Sequence, residues 1–571
     1  MKYSIGVSGF YHDSSVCLTE DGKVIAFIKE ESLTRVKGSN GFPHRSLNHL
    51  KKNYNLTNQN VEVVSFYEKP LRAWASLISN SLTQPHAAYA LIAHHAKQFW
   101  RGSLSFKVNF DKHLTLDSKK FIYAPHHLSH ALSAQCYMPS EIHHPSALHF
   151  VFDAVGDGNS ISVYRGMHAN TELLHEIKFP NSLGLYYSAL AQLCGFAVNE
   201  GEYKYMALSS FGDPQHLKMF FDDMLFIDGP EVRLNMDWFS FDKRIDYGFS
   251  DKLAAALGGT ISPSKIVFGS TEFIRAANIA AATQHTLEVS ILKIMKFWID
   301  KFKPKAISVS GGVAQNSVAM SKVVQNFSDL IVTIPPSPGD SGAALGAANY
   351  ANIVIRNKSV HVNELAFKVE HQTRSNFSKE LFVKLSKESK EAISLVATLI
   401  TKGEHICLFS NKMEIGPRAL GFRSIICSAK KPDSVRRLNA VIKRRKEFRP
   451  LAPVCLDDFA SRYFKISKQS KHNYMWMALT ALANDDFPME YKSALHIDGS
   501  ARLQIVDDRS TLLKAILTKL KGEDDLLINT SLNVANDPIA FDLVDTFINM
   551  KRMKLKYLLT EDGLFHLIED F

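Results

Sequence analysis

Three histidines fall within five positions of the stretch "YAPHHLSHALSAQ": His126, His127 and His130. Imidazole is the most frequent metal-ligating side chain and carries protons near neutral pH. On a helix that starts behind Pro125, side chains three or four positions apart share a face. Both His126/His130 and His127/His130 therefore qualify as a pair. Local spacing leaves that choice open, and it equally allows histidines that serve only packing or the surface, since the chain carries 23 of them. Two imidazoles make half a site, because a transition-metal centre takes three or four protein ligands. Two carboxylates are candidates to complete it. Asp153 ends the apolar run of "HFVFDAVGD", where a strand end would present it to a cleft. Asp340 lies in "PPSPGDSGAALGAA", a Pro/Gly turn that enters a small-residue helix. A buried carboxylate must be paired, hydrogen-bonded or metal-bound, although capping the following helix is an equal reading for Asp340. Two His with two Asp would suit a divalent Fe, Mn or Zn ion.

A second group of residues suits anions. In "VSGGVAQNS", Gly311 and Gly312 stand between a strand and a helix that follows Asn316. Glycine lets the backbone approach a ligand closely, and a helix N-terminus favours negative charge. A close-packed turn with no ligand is the alternative. Nearer the C-terminus, "EIGPRALGFRS" carries Arg418 and Arg423, and "NAVIKRRKEFRPLAP" carries Lys443 and Arg449. "HIDGSARLQ" adds His496 and Arg502, and "NTSLN" adds Thr530, Ser531 and Asn533. Arginine suits planar recognition of phosphate or carboxylate, and hydroxyls complete an oxyanion shell. Each motif alone could be surface charge beside turn glycines, but four in one 200-residue stretch point to a phosphate pocket.

The elements that must position these residues alternate between strand and helix. "KYSIGVSGF" and "DGKVIAFIKEE" predict a hairpin turning at Glu20-Asp21-Gly22, and "SALHFVFDAVGDGNSISVYRG" repeats the form. Long helices are expected near 183–197 and 271–301, followed by a strand, a Gly-Gly turn and a helix in "KAISVSGGVAQNSVAMSKV". Two hairpin units followed by strand-Gly-Gly-helix predict an α/β chain whose N-terminal domain has the duplicated ribonuclease-H-like fold of the actin/sugar-kinase/Hsp70 type. Polar, aperiodic residues at 351–375 mark a boundary, giving domains 1–357 and 358–571, the second also α/β.

Composition sets the remaining bounds. The 571 residues, 46% hydrophobic and 22% charged, suit ordinary globular domains. No run reaches the roughly 18 apolar residues that span a bilayer, and "MKYSIGVSGF" reads as a first strand rather than a signal peptide. The six cysteines form no C-x-x-C pair, which fits a reducing cytoplasm and argues against zinc fingers. The net charge of +10 serves anionic small molecules as readily as nucleic acid.

Taken in order, "GFYHDSS", "HHLSHA", "FDAVGD", "SLGLYYSALAQLCGF", "GEYKYMALSSFG", "SGGVAQNS", "GDSGAALGAA", "EIGPRALGFRS", "FRPLAP", "HIDGSARLQ" and "NTSLN" resemble the NodU/CmcH-type O-carbamoyltransferases, nearly end to end. The resemblance implies a metal-containing N-terminal domain like that of tRNA threonylcarbamoyl transferases and a YrdC-like C-terminal domain. It implies that carbamoyl phosphate and ATP, with Mg(2+), form carbamoyl-adenylate in the YrdC-like domain, releasing pyrophosphate. A hydroxyl of a small-molecule or glycan acceptor then attacks the carbamoyl carbon in the N-terminal domain. The family's H-x-x-x-H ligands fall on His126 and His130, its carboxylate ligands on Asp153 and Asp340, and the metal implied is Fe(2+). His127 becomes a packing residue or a support for the ligands. Lys443, Arg449 and Arg502 fall where carbamoyl phosphate or the adenylate would be held, and His12 falls near the acceptor or nucleotide. Gly156 of "FDAVGD" and Gly184 of "SLGLYY" join Gly311, Gly312, Asn316 and the C-terminal anion residues as expected nucleotide- or cofactor-binding positions. Ser500 and Phe422 depart from the Thr and Asn expected in the family's motifs. The resemblance implies neither a nucleic-acid nor a membrane partner. A tRNA threonylcarbamoylation-related enzyme, supported only by the basic charge, and a non-catalytic nucleotide-binding scaffold are the alternatives. A hydrogenase-maturation carbamoyltransferase would need paired C-x-x-C fingers, which the sequence lacks.

Overall fold

The computed structural model describes residues 2–82, 102–139, 146–244, 246–369, 381–386, 388–444, 448–449 and 451–568. Within residues 65–120, where the sequence suggests acceptor loops, the histidine-rich stretch "TQPHAAYALIAHHAKQFW" lies outside the described residues. The chain divides into two units, Met1–Glu30 with Gly38–Val362, and Glu31–Lys37 with Asn363–Phe571. The division near 362/363 compares with the expected 357/358, and the short segment Glu31–Lys37 belongs to the second unit.

The first unit opens with β1 (Tyr3–Ser8), β2 (Ser15–Glu20) and β3 (Lys23–Lys29), an antiparallel meander. The turn at Glu20-Asp21-Gly22 thus joins β2 to β3, and "SVCLTE" is a strand of its own where a single hairpin was expected. β4 (Val61–Phe66) and β5 (Phe121–Tyr123) then add in parallel beside β1, giving the order β3-β2-β1-β4-β5. A 10-residue helix, α1 (His126–Gln135), follows behind Pro125. The chain repeats the plan with β6 (Leu148–Gly156), β7 (Asn159–Arg165) and β8 (Glu172–Lys178), again an antiparallel meander. After helices α2 (Leu183–Leu193) and α3 (Thr271–Phe302), β9 (Ala306–Ser310) pairs in parallel with β6. Helix α4 (Ser317–Asn326) leads to β10 (Ile331–Thr333), parallel to β9, and α5 (Asp340–Arg356) closes the unit. The second order, β10-β9-β6-β7-β8, is the first one repeated. This is the duplicated ribonuclease-H-like plan expected from the sequence. β1, β4, β6 and β9 are buried almost throughout, as central strands covered on both faces are, with small serines among the apolar residues of β1, β4 and β9.

Helices α1 and α5 pack tightly enough that a Cβ on Gly346 would lie 1.7 Å from the Ser129 carbonyl oxygen. The small residues of "DSGAALGAA" are therefore a packing requirement: they bring the first turn of α5 beside the histidines of α1.

The second unit carries an eight-stranded mixed sheet. It includes β11 (Ile406–Phe409), β12 (Arg423–Ser428), β13 (Ala452–Cys455) and β14 (Leu526–Ser531), with β12 antiparallel to both β11 and β14. Helices α6 (Ser389–Thr401) and α7 (Thr511–Leu520) bury Val396, Ile400, Leu513, Ile516 and Leu520 against Ile406, Leu408, Ile426 and Leu527 of the sheet. Truncating one of these leucines to alanine would cost about 2–5 kcal/mol. Among the described residues no helix is long and apolar enough to cross a membrane.

Candidate metal centre and anion-binding residues

His126, His130, Asp153 and Asp340 converge in the first unit, all buried, each offering one donor atom within 4.8 Å of the others. His126 Nε2 lies 3.1 Å from His130 Nε2, 3.2 Å from Asp153 Oδ2 and 3.5 Å from Asp340 Oδ1. His130 Nε2 lies 3.7 Å from Asp153 Oδ2 and 3.3 Å from Asp340 Oδ1. Four donors around one ion at ordinary bond lengths near 2.1 Å stand about 3.4 Å apart when tetrahedral. The donor set and its spacing therefore fit a divalent first-row ion.

Local structure explains each position. His126 and His130 sit one turn apart at the start of α1, where the backbone N–H of His126 donates to Asp157 Oδ2 at 2.8 Å. His130 Nδ1 faces the Pro338 carbonyl oxygen at 3.1 Å, which leaves Nε2 for the cluster. Asp153 stands where β6 leaves its register with β7, between Phe152 and Gly156. Such a bulge turns a side chain out of the sheet pattern. The Gly312 N–H donates to its Oδ1 at 2.9 Å, fixing the carboxylate with Oδ2 toward the histidines. Asp340 is the first residue of α5, behind the N-cap residue Gly339, and its carboxylate lies in the cluster.

His127 points elsewhere. Its Nδ1 is 2.7 Å from Ser162 Oγ, and burial followed by the neighbouring His126 pushes its pKa down to about 3. The two-way ambiguity of the sequence is resolved by this opposite orientation. Burial opposes charge on His126, yet Asp153, Asp340 and Glu68 outweigh it and raise its pKa well above the usual imidazole value. Burial also opposes charge on Asp153 and Asp340, and the adjacent imidazoles hold both below the usual carboxylate range. The imidazoles and carboxylates thus stabilise one another's charge in the interior. His12, partly exposed, approaches Asp340 Oδ2 with its Nε2 at 3.7 Å. Against burial, Asp340 and Asp13 raise its pKa to about 10.

The glycines serve this cluster rather than standing open to a ligand. A Cβ on Gly156 would lie 2.2 Å from the His126 ring, and one on Gly311 (φ +89°) would lie 2.2 Å from the Phe152 carbonyl oxygen. Gly184 packs against the bulge at Asp153 and Ala154, whose carbonyls also accept from Ser182 Oγ. Asn316 caps α4 through Ala319 N–H and bonds Gln284.

In the second unit, the structure brings Lys443, Ser531 and Asn533 together. The Lys443 ammonium is 2% exposed and donates to the carbonyl oxygens of Ser531 (2.7 Å) and Asn533 (2.5 Å) and to Asn533 Oδ1 (2.7 Å). Thr530 is buried beside them at the end of β14. Arg418, Arg449 and Arg502 are half-buried, and Arg502 depresses the pKa of His496, already lowered by burial, to about 4.

Arg423 is a correction. It is fully buried, its guanidinium donates to the carbonyls of Ser410, Lys412, Phe422 and Phe541, and it stacks 3.7 Å over the Phe409 ring. Those carbonyls occupy the fork that would otherwise read a phosphate, so Arg423 holds the fold. Sequence reasoning also passed over Glu414, whose Oε1 accepts the backbone N–H groups of Leu420, Phe422 and Arg423. It closes the loop that carries Arg418. A glutamate immediately before "IGPRALG" was the available signal.

A family model described as Carbamoyltransferase N-terminus matches residues 3–349, and one described as Carbamoyltransferase C-terminus matches residues 397–566. An uncharacterized protein of Synechocystis sp., sll1178, is 29% identical over 606 residues, covering 98% of this chain and 96% of its own. Nodulation protein NolNO of Sinorhizobium fredii is 26% identical over 557 residues, covering 94% of this chain and 77% of its own. Among solved structures, T. kodakarensis HypF is similar at a TM-score of 0.33 and 14% identity, over 62% of this chain and 48% of that one. With matches to both halves of its length, the chain belongs to the carbamoyltransferase family, among the NodU/CmcH-type O-carbamoyltransferases.

Proposed function

We propose that this carbamoyltransferase works in two steps on one chain. In the second unit, water cleaves carbamoyl phosphate to carbamate and phosphate, and the carbamate oxygen attacks the α-phosphorus of ATP, bound with Mg(2+), to give carbamoyl-adenylate and pyrophosphate. In the first unit, a hydroxyl of a small-molecule or glycan acceptor takes the carbamoyl group and AMP leaves. The convergence of His126, His130, Asp153 and Asp340 on one point carries this reading, because a four-donor site of that kind serves carbamoyl transfer in a chain of this family.

A divalent ion there, Fe(2+) by family resemblance, would polarise the carbamoyl oxygen or lower the pKa of the acceptor hydroxyl. His12, partly exposed, stands beside Asp340 of the cluster, where as a cation it can orient the acceptor. Lys443 is held by carbonyl oxygens so that its charge stays in the buried pocket. With Arg449, Arg502 and the half-buried Arg418, it would offset the charge that develops as pyrophosphate leaves. Gly312 backs Asp153 through its N–H, and Ser531 and Asn533 fix the Lys443 ammonium.

Separate assays of the two steps test this. His130→Ala should abolish carbamoyl transfer while carbamoyl phosphate-dependent ATP–pyrophosphate exchange persists within about threefold, whereas Lys443→Ala should lower the exchange by two orders of magnitude or more. Equal loss of both activities in His130→Ala would overturn the two-site scheme. Mass spectrometry of extracts incubated with isotope-labelled carbamoyl phosphate would identify the acceptor.

A further inference from the structure

Glu68, two residues beyond the end of β4, is 1% exposed. Its Oε2 lies 4.0 Å from Nδ1 of His126, the ring nitrogen turned away from the donor cluster. A histidine that ligates through Nε2 carries its remaining proton on Nδ1, and in a buried place that N–H needs an acceptor. For His130 the Pro338 carbonyl fills this role at 3.1 Å. Among the described residues His126 Nδ1 makes no hydrogen bond, and the Glu68 carboxylate is the anion that faces it. A shift of about 1 Å brings the pair to hydrogen-bond length. The Tyr67 ring, 4.9 Å from the His126 ring, and the close approach of Gly156 limit how far the imidazole can turn.

We propose that Glu68 is a positioning residue that accepts the Nδ1–H of His126, fixing its tautomer and making Nε2 a stronger donor to the divalent ion. This rests on the metal reading above. The full-length chain, stripped of metal and titrated with Co(2+) and Mn(2+) against a chromophoric chelator, tests it with Glu68→Leu, Glu68→Gln and, as a control on the same strand, Glu62→Gln. Glu68→Leu should bind 10- to 100-fold more weakly with an altered Co(2+) absorption spectrum. Glu68→Gln, which retains an oxygen acceptor, should lose less, and Glu62→Gln should match the wild type. A purely structural role would lower the metal-free melting temperature without changing the Co(2+) spectrum or affinity, and that result overturns the proposal. If Glu68→Leu does not fold, Glu68→Gln decides: at least threefold weaker binding supports the role, and wild-type affinity overturns it. A wild-type chain that takes up no stoichiometric ion would remove the metal reading itself, whereas equal binding by all variants would remove only the role of Glu68.

Discussion

The chemistry at His126 depends on residues that are not ligands. Asp157 holds its backbone, Tyr67 flanks its ring, and Gly156 leaves the space the ring occupies. Gly156→Ala places a methyl 2.2 Å from that ring with no ligand changed. The ring must yield, and yielding moves Nε2 off the cluster. We expect at least a tenfold loss of metal affinity and of carbamoyl transfer, with circular dichroism and ATP–pyrophosphate exchange preserved. Normal metal content in this variant would show that the imidazole has room the structure does not indicate. The contrast with His127 is instructive at the same scale: identical chemistry one residue away points to Ser162 and stays neutral.

At the scale of elements, polar side chains tie the strands together. His149 on β6 reaches Ser308 of β9 with Nδ1 at 2.8 Å and the Gly166 carbonyl with Nε2 at 2.6 Å. Burial lowers its pKa to about 4, so the folded chain resists a proton that the unfolded chain accepts near 6.5. Its contribution to stability is complete above pH 6.5 and is lost as pH falls from there toward 4, at most about 3 kcal/mol. Denaturant titrations at pH 7.5 and 4.5 should show His149→Gln losing less stability over that interval than the wild type. Equal losses would contradict the assignment. In the second unit, Arg423→Met removes the guanidinium shared by the carbonyls of Ser410, Lys412, Phe422 and Phe541 and should cost at least about 3 kcal/mol, read as a lower melting temperature. Arg418→Ala should lower melting less than Arg423→Met and raise the KM for carbamoyl phosphate. Those two outcomes would separate the arginines of one motif into structure and substrate.

For the whole molecule, the segment Glu31–Lys37 departs from the first unit and completes the second. Arg35, in the left-handed region at φ +60°, donates to the carbonyls of Ile539 (2.8 Å) and Pro538 (2.9 Å) and pairs with Asp545 at 3.2 Å. Leu33 packs on Val369, Met413, Ile539 and Phe541. A fragment cut at 363 would lack both side chains. It should unfold at a lower denaturant concentration than the same fragment supplied with residues 31–37. Arg35→Ala in the full chain should remove about 2 kcal/mol from the second unit. An unchanged fragment would show the segment to be dispensable.

The sequence by itself determined the alternation of strands and helices, the repeat of a hairpin form at "HFVFDAVGD", and the residue types of the four-donor cluster, because these lie in local periodicity and turn chemistry. The ordered motifs also carried the family. Only the tertiary structure decided that each hairpin is part of a three-stranded meander, which histidine of the adjacent pair turns inward and that Asp340 joins the cluster. Those outcomes depend on neighbours 27 and more residues away, such as Asp153 for His126 and Pro338 for His130. Arg423 and Arg418 look alike in one motif because charge is legible along the chain and burial is not. Glu68 was invisible for the same reason. Nothing near "VEVVSFYE" announces an imidazole, and the pairing exists only because β4 ends beside the start of α1.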